Sequence, residues 1–149
     1  MLASIARIGL GSLVAALLLA APAVAEEIGQ IKVSKGQVAV EREGKTLPGI
    51  VGTRLQTADV LRTGADGSAG ITMDDDALLS VGPNSVLSLE RYAFDPTTSR
   101  GRFDAKLNKG TLAVISGRIA KQSPDAMTVR TPAAVLGVRG TEFVVSADD

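Results

Sequence analysis

The chain has 149 residues, with sixteen basic against sixteen acidic side chains, no histidine and no cysteine. Without His and Cys there is no Ser-His triad, no Cys nucleophile, no disulfide and no zinc site of the usual nitrogen–sulfur type. Balanced charge gives neither a basic footprint for nucleic acid nor a cationic face for anionic lipid, and with three Phe, one Tyr and no Trp the core must be aliphatic.

The first 25 residues read as a secretory signal peptide. Met1 to Arg7 is short and basic, Leu10 to Ala21 is a run of small apolar residues, and Pro22-Ala23-Val24-Ala25 supplies an A-x-A cleavage box. Cleavage is expected after Ala25, leaving one domain over 26–149 with a net charge of −1, since Arg7 leaves with the signal. The alternative is an uncleaved anchor in the inner membrane, because Ile8 to Ala25 carries no charge and approaches spanning length. No membrane insertion of the mature domain is expected.

The remainder reads as short strands between turns. Ile28 to Val33 and Gln37 to Arg42 alternate around Lys35-Gly36 as a hairpin would, and 46–52 is too broken by Pro and Gly for a central strand. Strands follow at Val60–Thr63, Ser68–Met73, Ala77–Val81 and Ser85–Glu90, separated by Gly64 to Gly67, Asp74 to Asp76 and Gly82 to Asn84. Tyr92 to Arg102 is the longest irregular stretch. Phe103–Leu107 and Thr111–Ser116 then flank Asn108-Lys109-Gly110 as a second hairpin. Gly117 to Asp125 reads as a polar loop, and Ala126–Thr131 and Thr141–Ser146 close the chain. Val60 to Gly64 echoes Thr128 to Pro132, which suggests equivalent edges of two lobes. The expected fold is all-β, a short-stranded solenoid-like or two-lobed β sandwich preceded by the signal-peptide helix, with almost no other helix.

Each candidate site has a plainer reading beside it. Ser123 with Lys121 has no spacing that selects it as a catalytic dyad, and the chain is expected not to be an enzyme. Asp74, Asp75 and Asp76, with Asp66, could bind calcium, but they lack the alternating ligands and glycine of a calcium loop, so a solvated turn is expected. No cofactor is expected. Arg139, between Gly137 and Gly140 in an apolar run, is expected to fold inward onto carbonyls and a carboxylate, Asp59 or Glu142. Tyr92, Phe94 and Phe103 bracket the long loop, either as a partner surface or as a lid on the core.

Several blocks resemble the FecR-like domain of bacterial envelope proteins. They are Gly36 to Val40 with Leu47-Pro48 and Gly52; Leu61-Arg62-Thr63-Gly64 with Asp66-Gly67; Asn84 to Leu87; Leu107 to Leu112; and Thr131-Pro132-Ala133 through Gly137, Arg139, Gly140, Thr141, Glu142 and Phe143. Relatives commonly have Asp-Gly where this chain has Asp75-Asp76, a turn that aspartate can survive. The resemblance implies a β-rich periplasmic domain. The iron-citrate signalling members also carry a cytoplasmic sigma-factor-binding segment, a membrane helix and a receptor-docking part. This sequence ends at Asp149 after one domain, so their transmembrane role is not expected to carry over.

The expected function is therefore an exported, non-enzymatic periplasmic interaction or sensory module that binds an envelope or membrane protein partner, with a link to signal transduction. The alternatives are a module for cell-wall glycan, either peptidoglycan or polysaccharide, and an envelope structural component.

Overall fold

Alternating aliphatic residues build most of the twelve strands found among the described residues, and the pairing of those strands differs from what the turns alone suggest. The structure is a computed structural model that describes residues 9, 19–21, 25–138 and 142–148. Nearly all of the expected signal peptide, and Arg139, Gly140 and Thr141 of the closing motif, lie outside the described residues. No described helix is long and apolar enough to cross a membrane.

The strands are β1 (Glu27–Lys35), β2 (Val38–Arg42), β3 (Lys45–Pro48), β4 (Arg54–Gln56), β5 (Val60–Thr63), β6 (Ser68–Met73), β7 (Leu78–Val81), β8 (Val86–Phe94), β9 (Gly101–Ile115), β10 (Met127–Arg130), β11 (Val135–Gly137) and β12 (Glu142–Ala147). A short helix α1 (Arg118–Gln122) and a 3-10 turn (Pro124–Ala126) separate β9 from β10. The all-β expectation holds, with almost no helix.

The strands form one curled sheet with two halves. One half runs β3, β2, β5, β8, the first part of β9, β10 and β11; the other runs β4, β1, β6, β7, the last part of β9 and β12. All pairings are antiparallel except β9 with β10. The 15-residue β9 belongs to both halves: Gly101 to Lys109 pairs with β8, and Gly110 to Ile115 pairs with β12. The halves enclose one core in which like side chains stack across strands. Val40, Leu61, Leu87 and Leu107 form one buried row, and Ile31, Ile71, Leu79 and Val114 form the facing one. Burying each such side chain stabilises the fold by about 1.5–3 kcal/mol relative to exposure.

Three expectations about connectivity are corrected. β1 and β2 do not pair with each other; the bend at Gly36 carries the chain from one half-sheet to the other, where β1 pairs with β4 and β6 and β2 with β3 and β5. Asn108-Lys109-Gly110 is likewise no hairpin, because β9 runs through it and changes half-sheet at Gly110, at φ +96°. The echoed segments around Arg62 and Arg130 lie in the same half-sheet rather than in two lobes. In addition, Tyr92 to Arg102 is mostly paired, Phe94 lying opposite Gly101, and only 95–100 is irregular. The loop expected over 117–125 contains α1, whose Ile119 is fully buried.

Candidate functional site

The glycine-rich motifs lie along a single edge, where β1–β2, β5–β6, β7–β8 and the two parts of β9 each cross between the half-sheets. A polar ladder joins these bends. The Gly64 N–H donates to the Gln37 carbonyl (2.9 Å), the Asn84 N–H to the Gly64 carbonyl (3.0 Å) and the Gly82 N–H to the Thr111 carbonyl (3.0 Å). Thr63 Oγ1 donates to the Gly82 carbonyl (2.6 Å) and accepts from the Ser85 N–H (3.0 Å), and Ser85 Oγ accepts from the Thr111 N–H (3.0 Å). The Asp66 carboxylate accepts from the Gln37 N–H (3.2 Å). A Cβ at Gly36 would run into the Asp66 carbonyl and one at Gly110 into Ser85 Oγ; both glycines have positive φ, which L side chains rarely adopt. Thr63, Gly64, Asp66 and Gly67 are thus structural, and Arg62 points outward from the same strand to Glu41.

At the opposite end, α1 closes the core. Asp75 is buried rather than solvated, which corrects the expected turn. Its carboxylate accepts from the Tyr92 hydroxyl (3.0 Å) and the Ala77 and Ile119 N–H groups (3.3 and 3.2 Å). The same hydroxyl accepts from the Asp75 N–H (2.8 Å). Burial first, and the Asp75 charge next, push the Tyr92 pKa well above its ordinary value. Asp74 and Asp76 stay exposed, and among the described residues no three carboxylates converge on a metal geometry. Asp76 has φ +68°, so aspartate does take the left-handed turn position.

The remaining candidates fall in different places. Phe103 is buried and packs edge-on against Tyr92 at 5.1 Å, so it offers no partner surface. Phe94 is half-buried, with the Arg118 guanidinium 5.0 Å from its ring centroid. Thr131 and Pro132 shape the β10–β11 turn, where the Ala133 and Ala134 N–H groups donate to Thr131 Oγ1. Phe143 leans on the core from β12, and Gly137 sits in open space on β11. Asp59 is taken by Arg42, whose Nε and Nη2 reach the carboxylate at 2.9 and 2.7 Å, while Glu142 is exposed. The hydrogen bond that Arg42 donates to Asp59 raises the Arg42 pKa despite partial burial. Lys121 and Ser123 are both exposed at the end of α1, and i,i+2 residues on a helix do not face each other.

Two surfaces have the character of contact sites. On the outer face of the β12 half-sheet, one cross-strand row runs Val33, Gly70, Ser80, Ala113, Val144, and the next sets Leu78 beside Ile115. Val144 is 66% exposed, Ile115 43% and Leu78 41%. β12 has β9 as its one sheet neighbour among the described residues, so its other side is a strand edge. On the outer face of the other half-sheet, Arg91, Arg102 and Arg130 surround a cleft of about 420 Å³.

The family model described as FecR protein matches residues 59–149, well over half of the chain. The chain belongs to the FecR family. The matched span covers β5 to β12, hence most of the bend ladder, the cleft and all of the apolar row except Val33. Strands β1 to β4 precede the match, yet they are hydrogen-bonded into the same sheet through β6 and β5. No curated protein and no solved structure matches the chain significantly.

Proposed function

We propose that this FecR-family chain is an exported, non-enzymatic interaction or sensory module of the periplasm that binds an envelope protein partner as part of a signalling pathway. The observation that carries the reading is the edge of β12 beside the outward row of Val144, Ile115 and Leu78. An extended segment of a partner can add to such an edge through backbone hydrogen bonds, while the apolar row receives its side chains. The module reaches the periplasm through the signal peptide, with Glu26 as the first mature residue; the alternative is retention of the apolar segment as an inner-membrane anchor. N-terminal sequencing of the protein recovered from periplasm distinguishes the two.

The glycan-binding alternative has less support. Carbohydrate sites commonly use exposed aromatic platforms, and none of Tyr92, Phe94, Phe103 and Phe143 is exposed. The purely structural alternative predicts no partner at all. Affinity capture from envelope extract tests the reading: the wild-type domain retains one specific protein, and Val144→Glu loses it while keeping its fold. Recovery of no specific protein, or equal recovery with both forms, overturns the β12 reading.

A further inference from the structure

The cleft on the other half-sheet lies away from β12 and does not depend on the partner reading. Its floor follows from the register. Arg91 on β8 is directly opposite Asp104 on β9, which is opposite Thr128 on β10, which is opposite Gly137 on β11. Arg102 is two residues before Asp104 on the same face, and Lys106, two residues after it, is opposite Arg130. Three of these cations, Arg91, Arg102 and Arg130, line the cleft together with two carboxylates, Asp104 and Glu90. The lining is net positive by one charge, in a chain whose formal net charge is zero.

The two carboxylates position the guanidinium groups without occupying them. Arg102 Nε donates to Asp104 at 3.0 Å, Arg130 Nη2 is paired with Glu90, and Arg91 Nε stands 3.9 Å from Asp104, beyond hydrogen-bond reach. The Thr128 hydroxyl donates to the other oxygen of Asp104 at 2.6 Å and holds that carboxylate in place. Each guanidinium has five donors in a planar fork suited to bidentate recognition of an oxyanion, and the two carboxylates engage only a few of them. The row ends on Gly137, where an added Cβ would meet nothing within 4 Å, which leaves the cleft open on that side.

The geometry points to a binding site for a dianionic phosphate group, free or esterified, held between Arg91, Arg102 and Arg130. Its negative charge complements the net positive lining, and its oxygens match the fork geometry. Val135 at the rim gives an ester substituent an apolar surface beside Arg130.

Amide NMR titrations at constant ionic strength, with inorganic phosphate in one arm and glucose 6-phosphate in the other, test the assignment. The expected result is saturable shifts confined to Arg91, Arg102, Asp104, Thr128 and Arg130. Saturation in the first arm alone assigns a free-anion site; saturation in the second assigns an ester site. Arg91→Gln, at an exposed side chain with no hydrogen bond to either carboxylate, is expected to weaken binding about tenfold. Gly137→Glu, which adds a carboxylate beside the cleft, is expected to abolish it while amide dispersion is retained. Shifts that fail to saturate in both arms, or that sodium chloride reproduces, overturn the proposal, as does unchanged affinity in Arg91→Gln.

Discussion

Thr63 and Ser85 are tied across two bends: the Thr63 hydroxyl accepts the Ser85 N–H at 3.0 Å while donating to the Gly82 carbonyl at 2.6 Å. Both residues are buried. Thr63→Val keeps the volume but leaves the Ser85 N–H without its partner, at an expected cost of about 1–3 kcal/mol. Thr63→Ser keeps the hydroxyl and loses a methyl group, costing about 0.8 kcal/mol. Urea midpoints for the two variants should fall in that order, and a reversed order would refute the ladder as a stabilising element.

Gly110 should tolerate replacement far less than Gly44. Both have positive φ, +96° and +74°, but a Cβ at Gly44 meets nothing within 4 Å. Gly44→Ala therefore carries the backbone strain alone, about 1–2 kcal/mol. Gly110→Ala adds a collision with Ser85 at the point where β9 changes half-sheet. Thermal unfolding should show the larger loss for Gly110→Ala, and equal losses would mean that the bend is looser than described.

The Arg42–Asp59 pair predicts an asymmetric response. Asp59 is 1% exposed and the Arg42 side chain 25%. Arg42→Met strands a buried carboxylate and is expected to cost about 3 kcal/mol, the lower end for a broken buried pair. Asp59→Asn releases a guanidinium that can turn towards water, and should cost less. Chemical denaturation of both variants measures the difference.

Tyr92 is the only tyrosine in the chain, so its ionisation can be followed directly. Its pKa is raised in the folded state, mainly by burial and then by Asp75, so folding favours the neutral phenol. That contribution is complete below the ordinary value of 10.0 and declines as pH rises above it. Tyrosinate absorbance should therefore appear only together with loss of β circular dichroism. A normal titration in a folded protein would remove Tyr92 from the seal at the end of the core.

The positions of most strands were legible in the sequence, short β4 and β11 being exceptions, whereas their partners were not. Gly36, Gly64 to Gly67 and Gly82 to Asn84 mark chain reversals through local backbone demands, and the intervening strands fall close to where alternation puts them. The same turn chemistry serves a hairpin and a crossing between half-sheets, and alternation is identical in both, so β1 with β2 could not be told from a hairpin. Gly110 misled for the same reason. α1 is too short to show a helical period. Asp75 was hidden because a run of three aspartates reads as solvated, and only packing brings Tyr92 and Ile119 to the middle one. The candidate contact surfaces were least visible of all. Val144, Ile115 and Leu78 become neighbours only through the register of three strands distant in sequence.

The double membership of β9 fixes an order of assembly. Until residues 101–115 are in place, β7 and β8 each have an open side, and the two half-sheets have no strand in common. Closure must therefore wait for a segment in the last third of the chain, and the loop entropy of these distant pairings makes it slow. A nascent chain that has presented only its first eight strands is still a template with two unfilled edges, open to chaperones and to aggregation alike.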